Sequence, residues 1–135
     1  VEPELNIYDE DWPIWTYQVH QPPAKFILDE DGRRGQAINS MVSAGCVISG
    51  AYVRESLLFS NVRIEERSTI ERAVILPNTR IGAGCVIRGA IIDEGSEIPD
   101  GMSIGVDRAL DAERFLVTDK GVVLVTAEML RHVPG

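Results

Sequence analysis

Residues 62–98 read VRIEERSTIERAVILPNTRIGAGCVIRGAIIDEGSEI, and isoleucine returns there at positions 64, 70, 75, 81, 87, 92 and 98. The steps cycle through six, five and six residues, so the full period is 17, as in Ile64, Ile81 and Ile98. Outward from this stretch, Val47, Val53 and Leu58 precede the series and Ile104 ends it. Two residues before each aliphatic position sits a mostly small one: Gly45, Ala51, Ser56, Val62, Ser68, Ala73, Thr79, Cys85, Ala90 and Ser96, with Met102 the exception. A helix cannot use this pattern, which is out of step with 3.6 residues per turn. A short, fixed period signals a solenoid, in which each repeat packs only on its neighbours.

Side chains of a strand alternate between faces, so the aliphatic residue and the small one two before it point the same way. With both inward, each segment is one flat wall of a prism. Three walls make a turn, and turns stack about 4.8 Å apart. Large residues fill the middle of a wall, and small ones fit where the chain turns a corner. The five-residue step is a one-residue deletion at the same corner of each turn. The expected fold is therefore all-β: a parallel β-helix of about four coils over residues 41–105. Residues 1–40 read as a lead-in and an N-terminal hairpin cap. Its strands are expected at Ala24–Leu28 and Gln36–Ile38, with a turn at Asp29-Glu30-Asp31-Gly32. A cap is needed because a terminal turn exposes an apolar layer and an unpaired edge. Residues 106–135 form a tail expected to fold back on the last coil. It holds a helical turn near Ala109–Phe115, a strand at 122–125 and a short helix N-capped by Thr126. Cys85 is assigned an inward position and Cys46 an outward one, both as reduced packing residues.

The chain has 135 residues, enough for one domain with appendages, and 44% of them are apolar. A net charge of -8 argues against nucleic acid as a partner, since phosphate binding needs a basic patch. No apolar run is long enough to cross a membrane, and no signal peptide is visible, so the expected location is cytoplasmic. The chain begins at Val1 with an acidic, proline-containing lead, and reads as a piece of a longer protein. Many β-helices of this kind are acyltransferases that use a coil or loop histidine as general base. Here the histidines are His20 and His132, neither of them on a coil. There is no Cys-x-x-Cys for a metal, and Gly82-Ala83-Gly84 belongs to a coil corner rather than a phosphate loop. No catalytic, cofactor-binding or metal-binding residue is assigned within the chain.

The outward positions distinguish the walls. The first carries Arg63, Glu65, Arg80 and Glu97, a solvated face with opposite charges stacked between turns. The second is mixed: Thr69, Glu71, Val86 and Arg88. The third carries Leu57 and Phe59, then Val74 and Leu76, then Ile91 and Asp93. A strand apolar on both faces is buried on both. Leu57, Phe59, Val74, Leu76 and Ile91 are therefore expected to be covered, by another domain or subunit at an interface or else by the chain's own lead or tail, and the interface is the reading taken.

The hexapeptide spacing resembles that of left-handed parallel β-helices, and the hand is taken from that resemblance. Several segments are similar to the C-terminal domain of bacterial ADP-glucose pyrophosphorylase (glucose-1-phosphate adenylyltransferase). They include Trp12-Pro13-Ile14 with Thr16-Tyr17, Pro22-Pro23-Ala24-Lys25-Phe26, Asn39-Ser40-Met41-Val42-Ser43 and Gly45-Cys46-Val47-Ile48-Ser49-Gly50. Leu58-Phe59-Ser60, Ala73-Val74-Ile75-Leu76-Pro77, Ile98-Pro99 with Gly101, and Val123-Leu124-Val125-Thr126 follow in order. The resemblance implies a parent enzyme that makes ADP-glucose and pyrophosphate from ATP and glucose 1-phosphate with Mg2+, for glycogen synthesis. Its catalysis lies in an N-terminal domain with a glycine-rich motif that this chain lacks, so the chain alone is expected to be inactive. The resemblance further implies packing on that catalytic domain, a homotetramer, and a regulatory site for a small sugar-phosphate or carboxylate effector. The residues it assigns to that site are Ser43, Ala44, Gly45 and Arg131. Ala127 and Glu94 stand where family members often carry arginine, which points to a smaller activator, such as fructose 6-phosphate or pyruvate, over a bisphosphate. The alternatives are a hexapeptide acyltransferase and a non-catalytic, partner-binding β-helix.

Overall fold

A computed structural model describes residues 23–28 and 32–133. The lead with its Trp12-Pro13 segment, His20 and most of the expected turn at 29–32 lie outside the described residues. Three parallel sheets form the three walls of a β-solenoid of the hexapeptide-repeat kind. The first wall stacks β1 (Lys25–Ile27), β4 (Val47–Ser49), β7 (Arg63–Ile64), β10 (Arg80–Ile81) and β13 (Glu97–Ile98). The second stacks β2 (Gln36–Ile38), β5 (Tyr52–Arg54), β8 (Thr69–Glu71), β11 (Val86–Arg88) and β14 (Ser103–Ile104). The third stacks β3 (Met41–Val42), β6 (Leu57–Leu58), β9 (Val74–Ile75) and β12 (Ala90–Ile92), then β16 (Val123–Val125) and the antiparallel edge strand β15 (Leu116–Val117).

The periodic residues form the core. Ile64, Ile81 and Ile98 are in register on the first wall; Ile70, Ile87 and Ile104 on the second; Leu58, Ile75 and Ile92 on the third. All are buried. The small residues line the corners inside, and several of them satisfy backbone groups that the turn leaves unpaired. Ser56 Oγ donates to the Arg54 carbonyl at 2.9 Å and accepts from the Ala73 N–H at 3.0 Å. Ser68 Oγ donates to the Gly82 carbonyl at 2.6 Å and accepts from the Cys85 N–H at 3.0 Å. Each such hydroxyl ties one coil to the next. Corners also need left-handed backbone. Gly45, Asn61, Asn78 and Gly95 supply it along one edge, with φ of 81°, 59°, 60° and 74°. Glycine and asparagine are the residues that tolerate this conformation best.

Two sequence expectations change at the first coils. Ile48, not Val47, is the inward residue: it pairs with Ile64, while Val47 pairs with the outward Arg63. Cys46, not Gly45, is the small inward residue and is fully buried. The reason is one residue fewer at the corner after β4, where Gly50 turns the chain with φ of 60°. That turn takes 16 residues, and a strict 17-residue reading slips to the outside face. The second change concerns the cap. β1 and β2 exist, but they pair with β4 and β5 on different walls. They open the first coil, and the hairpin-like contact among the described residues is an antiparallel bridge between Leu28 and Arg34, with the Gly35 N–H donating to the Ile27 carbonyl at 3.2 Å beside it. Gly35 is pressed against the Ile48 carbonyl where a Cβ would stand, which fixes the base of this loop.

After β14 the chain leaves the prism. Asp107 caps α1 (Arg108–Arg114) by accepting from the Leu110 N–H. The buried Asp111 pins this helix to the coil, accepting from the Gly105 N–H at 2.9 Å and from Arg114 Nη2 at 3.0 Å. The chain then returns through β15, and β16 supplies the missing third wall of the last coil, parallel to β12. The tail thus completes the solenoid. Thr126 caps α2 (Ala127–Arg131) by accepting from the Met129 N–H at 3.1 Å.

Candidate functional site

Outside the prism the walls differ as their sequences demand. On the first, Glu65 Oε2 lies 2.9 Å from Arg63 Nε and 3.4 Å from Arg80 Nε. On the second, Glu71 sits between Arg54 at 3.6 Å and Arg88 at 3.1 Å. These arginines are half exposed, so water screens the pairs and each adds little stability. On the third wall the register aligns Met41, Leu57, Val74, Ile91, Leu124 and Leu116 in one continuous apolar row. Phe59 and Leu76 stand beside it, and Asp93 ends that second row. Met41 is 70% exposed, and Leu57 and Phe59 are exposed by about two fifths. Val74, Leu76 and Ile91 are half-buried. The structure therefore places all five expected interface residues on one face.

The expected effector residues fall on one edge, where the third wall turns into the first. Ser43, Ala44 and Gly45 form that corner between β3 and β4. Asn61, Asn78 and Gly95 continue it coil by coil: the Asn61 N–H donates to the Ala44 carbonyl at 3.2 Å, the Asn78 N–H to Ser60, and the Gly95 N–H to Pro77. Arg131 stands at the far end of the edge, where Gly95, Glu97, Ala127, Leu130 and Arg131 line a cavity of about 280 Å3. The two groups are three coils apart, roughly 14 Å at the usual strand spacing. They share an edge but not a pocket. Between them lie Asn61 and Asn78, whose amides bond at 3.3 Å. The sequence signal for this pair was their 17-residue spacing and their place in a corner, which attention to the aliphatic positions passed over.

Gly45 is required twice: its φ is left-handed, and a Cβ would run into the Asn61 side chain. The Ser43 N–H is committed to the Leu58 carbonyl at 3.0 Å. Arg131 is exposed at the end of α2 and offers a planar, bidentate fork for a carboxylate or phosphate. The exposed Glu97 lines the same cavity and weakens its field. One arginine beside a carboxylate has less attraction for a polyanion than a cluster of cations would.

Among the described residues, no group of three or more His, Cys, Asp and Glu could hold a metal ion. His132 is exposed at the C-cap of α2, off the coils. Cys46 and Cys85 are buried, and burial pushes both thiols above their ordinary pKa, against a weaker opposing effect of nearby backbone hydrogen bonds. They are protonated packing residues, not nucleophiles. No helix among the described residues is long and apolar enough to cross a membrane.

A family model described as "GlmU-like, C-terminal hexapeptide" matches residues 22–125. Among curated proteins, the glucose-1-phosphate adenylyltransferase of Nitrosococcus oceani is 58% identical over 130 residues, 96% of this chain and 31% of the relative. Those of Methylobacillus flagellatus and Teredinibacter turnerae are 56% and 57% identical, over 96% and 95% of this chain and 30% and 31% of the relatives. The chain thus spans about 30% of the length of these relatives.

Proposed function

The chain belongs to the GlmU-like C-terminal hexapeptide family, and from that premise we propose that it is the regulatory and assembly domain of a glucose-1-phosphate adenylyltransferase. The observation that carries this reading is identity above one half, sustained over nearly the whole chain, with relatives of that name. The similarity extends beyond the 17-residue repeat, which a generic solenoid would not share. In this reading the intact protein joins ATP and glucose 1-phosphate, with Mg2+, to give ADP-glucose and pyrophosphate for glycogen synthesis in the cytoplasm. Catalysis lies in sequence the chain does not include, as the absence of a glycine-rich phosphate motif from residues 1–135 supports. The apolar third wall packs on the enzyme's own catalytic domain within a homotetramer. The edge from Ser43-Ala44-Gly45 to Arg131 forms one lip of the cleft that receives a small anionic effector.

The test is an assay of pyrophosphate release by the intact protein from ATP and glucose 1-phosphate with Mg2+, beside the 135-residue chain. Turnover is expected from the first and none from the second. Absence of turnover in the intact protein, or acyl-CoA turnover by the chain, would overturn the reading. Titration with fructose 6-phosphate, pyruvate and fructose 1,6-bisphosphate then tests the effector. A stronger response to the bisphosphate than to the smaller anions would refute the charge argument.

A further inference from the structure

The two ends of the solenoid are finished differently. At the far end β16 supplies a wall and α1 and α2 pack on the last coil, and the inward Ile92, Ile98 and Ile104 are buried. At the near end β1, β2 and β3 are each the outermost strand of a sheet, and no strand among the described residues pairs with their outer edges. Their inward residues are also less covered than those stacked on them. Phe26 is 37% exposed, whereas its partner Ile48 is fully buried. Ala37 and Val42 are half-buried, against the buried Val53 and Leu58. An apolar layer and a free strand edge call for a cap. The expected hairpin is not that cap, because its two strands are themselves walls of the first coil.

The lead holds a segment suited to the task. Trp15-Thr16-Tyr17-Gln18-Val19 alternates apolar and polar residues, the pattern of a half-buried strand, and its aromatic and β-branched members favour strands. Residues 12–19 carry no charge, although Glu2, Glu4, Asp9, Glu10 and Asp11 crowd the chain before them. The connection also fits. In each turn the third wall leads into the first through four residues, as at 43–46 between β3 and β4. Five residues, 20–24, separate Val19 from β1. Extended, they reach about 17 Å, and so short a tether keeps the segment at high local concentration.

We propose that residues 15–19 add a strand to the outer edge of β3 and cap the first coil. Trp15, Tyr17 and Val19 face inward and cover Val42, Ala37 and Phe26. Thr16 and Gln18 face outward and end the apolar row at Met41. The inference is independent of the effector edge and of the enzyme named above. Photo-cross-linking tests it, on the intact protein with benzoylphenylalanine in place of Tyr17. Adducts are expected within one chain, on Val42, Ala37 or Phe26. Adducts confined to a second copy, to another domain or to the outer third wall, or none at all, overturn the proposal. Hydrogen exchange on a Trp15→Ser, Val19→Ser variant is the second measurement. Amides of β1, β2 and β3 should exchange at least about tenfold faster, and those of β10 to β14 at unchanged rates. A Thr16→Ala, Gln18→Ala control should leave both groups unaltered. Equal rates at β1, β2 and β3 in wild type and the first variant also overturn it.

Discussion

The first and third walls of the prism are built from the same inward residues and opposite outward ones. Ile64, Ile81 and Ile98 line one, and Leu58, Ile75 and Ile92 the other, all buried and stacked in register. Outside, the first wall carries the Arg63–Glu65–Arg80 cluster and the third the row Leu57, Val74, Ile91. The inward set is common to every coil and specifies the fold. The outward set varies wall by wall and specifies what the fold meets. A strand in this architecture therefore carries two messages at alternate positions.

The sharpest way to break the comparison is to compare a deletion inside with one outside. Ile70→Ala removes fully buried atoms between the stacked Val53 and Ile87 and should cost about 2–5 kcal/mol in chemical denaturation, because the rigid coils cannot collapse around the gap. A triple change of Leu57, Val74 and Leu76 to Ser should leave the solenoid's own stability nearly unaltered. In the intact protein it should abolish the proposed tetramer in sedimentation and raise hydrogen exchange along the third wall. Unchanged mass and exchange would remove the interface assignment.

The edge joining the two walls gives a smaller effect. Gly45→Ala forces left-handed backbone on an alanine and displaces Asn61, and should cost about 1–3 kcal/mol. It should also blunt the response to a small anionic activator; a normal titration curve at full stability would separate Gly45 from the effector site. The buried thiols predict a loss of stability at alkaline pH. Their folded pKa values lie above the ordinary value of 9.0, so above about that pH the unfolded chain releases protons that the folded chain retains. Stability should then fall as pH rises, and a Cys46→Ala, Cys85→Ala variant should show a shallower alkaline slope. The least effect is expected on the first wall. Glu65→Gln breaks two half-exposed ion pairs and should cost under about 1 kcal/mol, less still in high salt.

Much of the fold was legible because a solenoid repeats its instructions. Ten of the eleven aliphatic positions, from Val53 to Ile104, are the inward ones, since a 17-residue period leaves no other face for them. Val47 is the exception, because one residue is missing at a corner and the sequence carries no mark that separates a shortened turn from a slipped register. The cap was misread for a related reason. Lys25–Ile27 and Gln36–Ile38 look like a hairpin when the intervening turn residues are close by, yet each finds a longer-range parallel partner in β4 and β5. Val123–Val125 reads as a strand but does not announce that it closes the last coil. The apolar wall was legible as alternation that fails to alternate. The edge was not, because Gly45 and Arg131 lie far apart in the chain.

The sequence alone determined the period, the three walls, the inward residues of the regular coils and the apolar character of one outer face. These are local properties, set by side-chain alternation and by burial that every repeat needs. Tertiary structure decided the register of the first coil, the partners of β1, β2 and β16, and the meeting of the corner at Gly95 with a helix near residue 131. Those depend on which backbone edge is free to pair once the coils are stacked, and no stretch of the chain encodes that by itself.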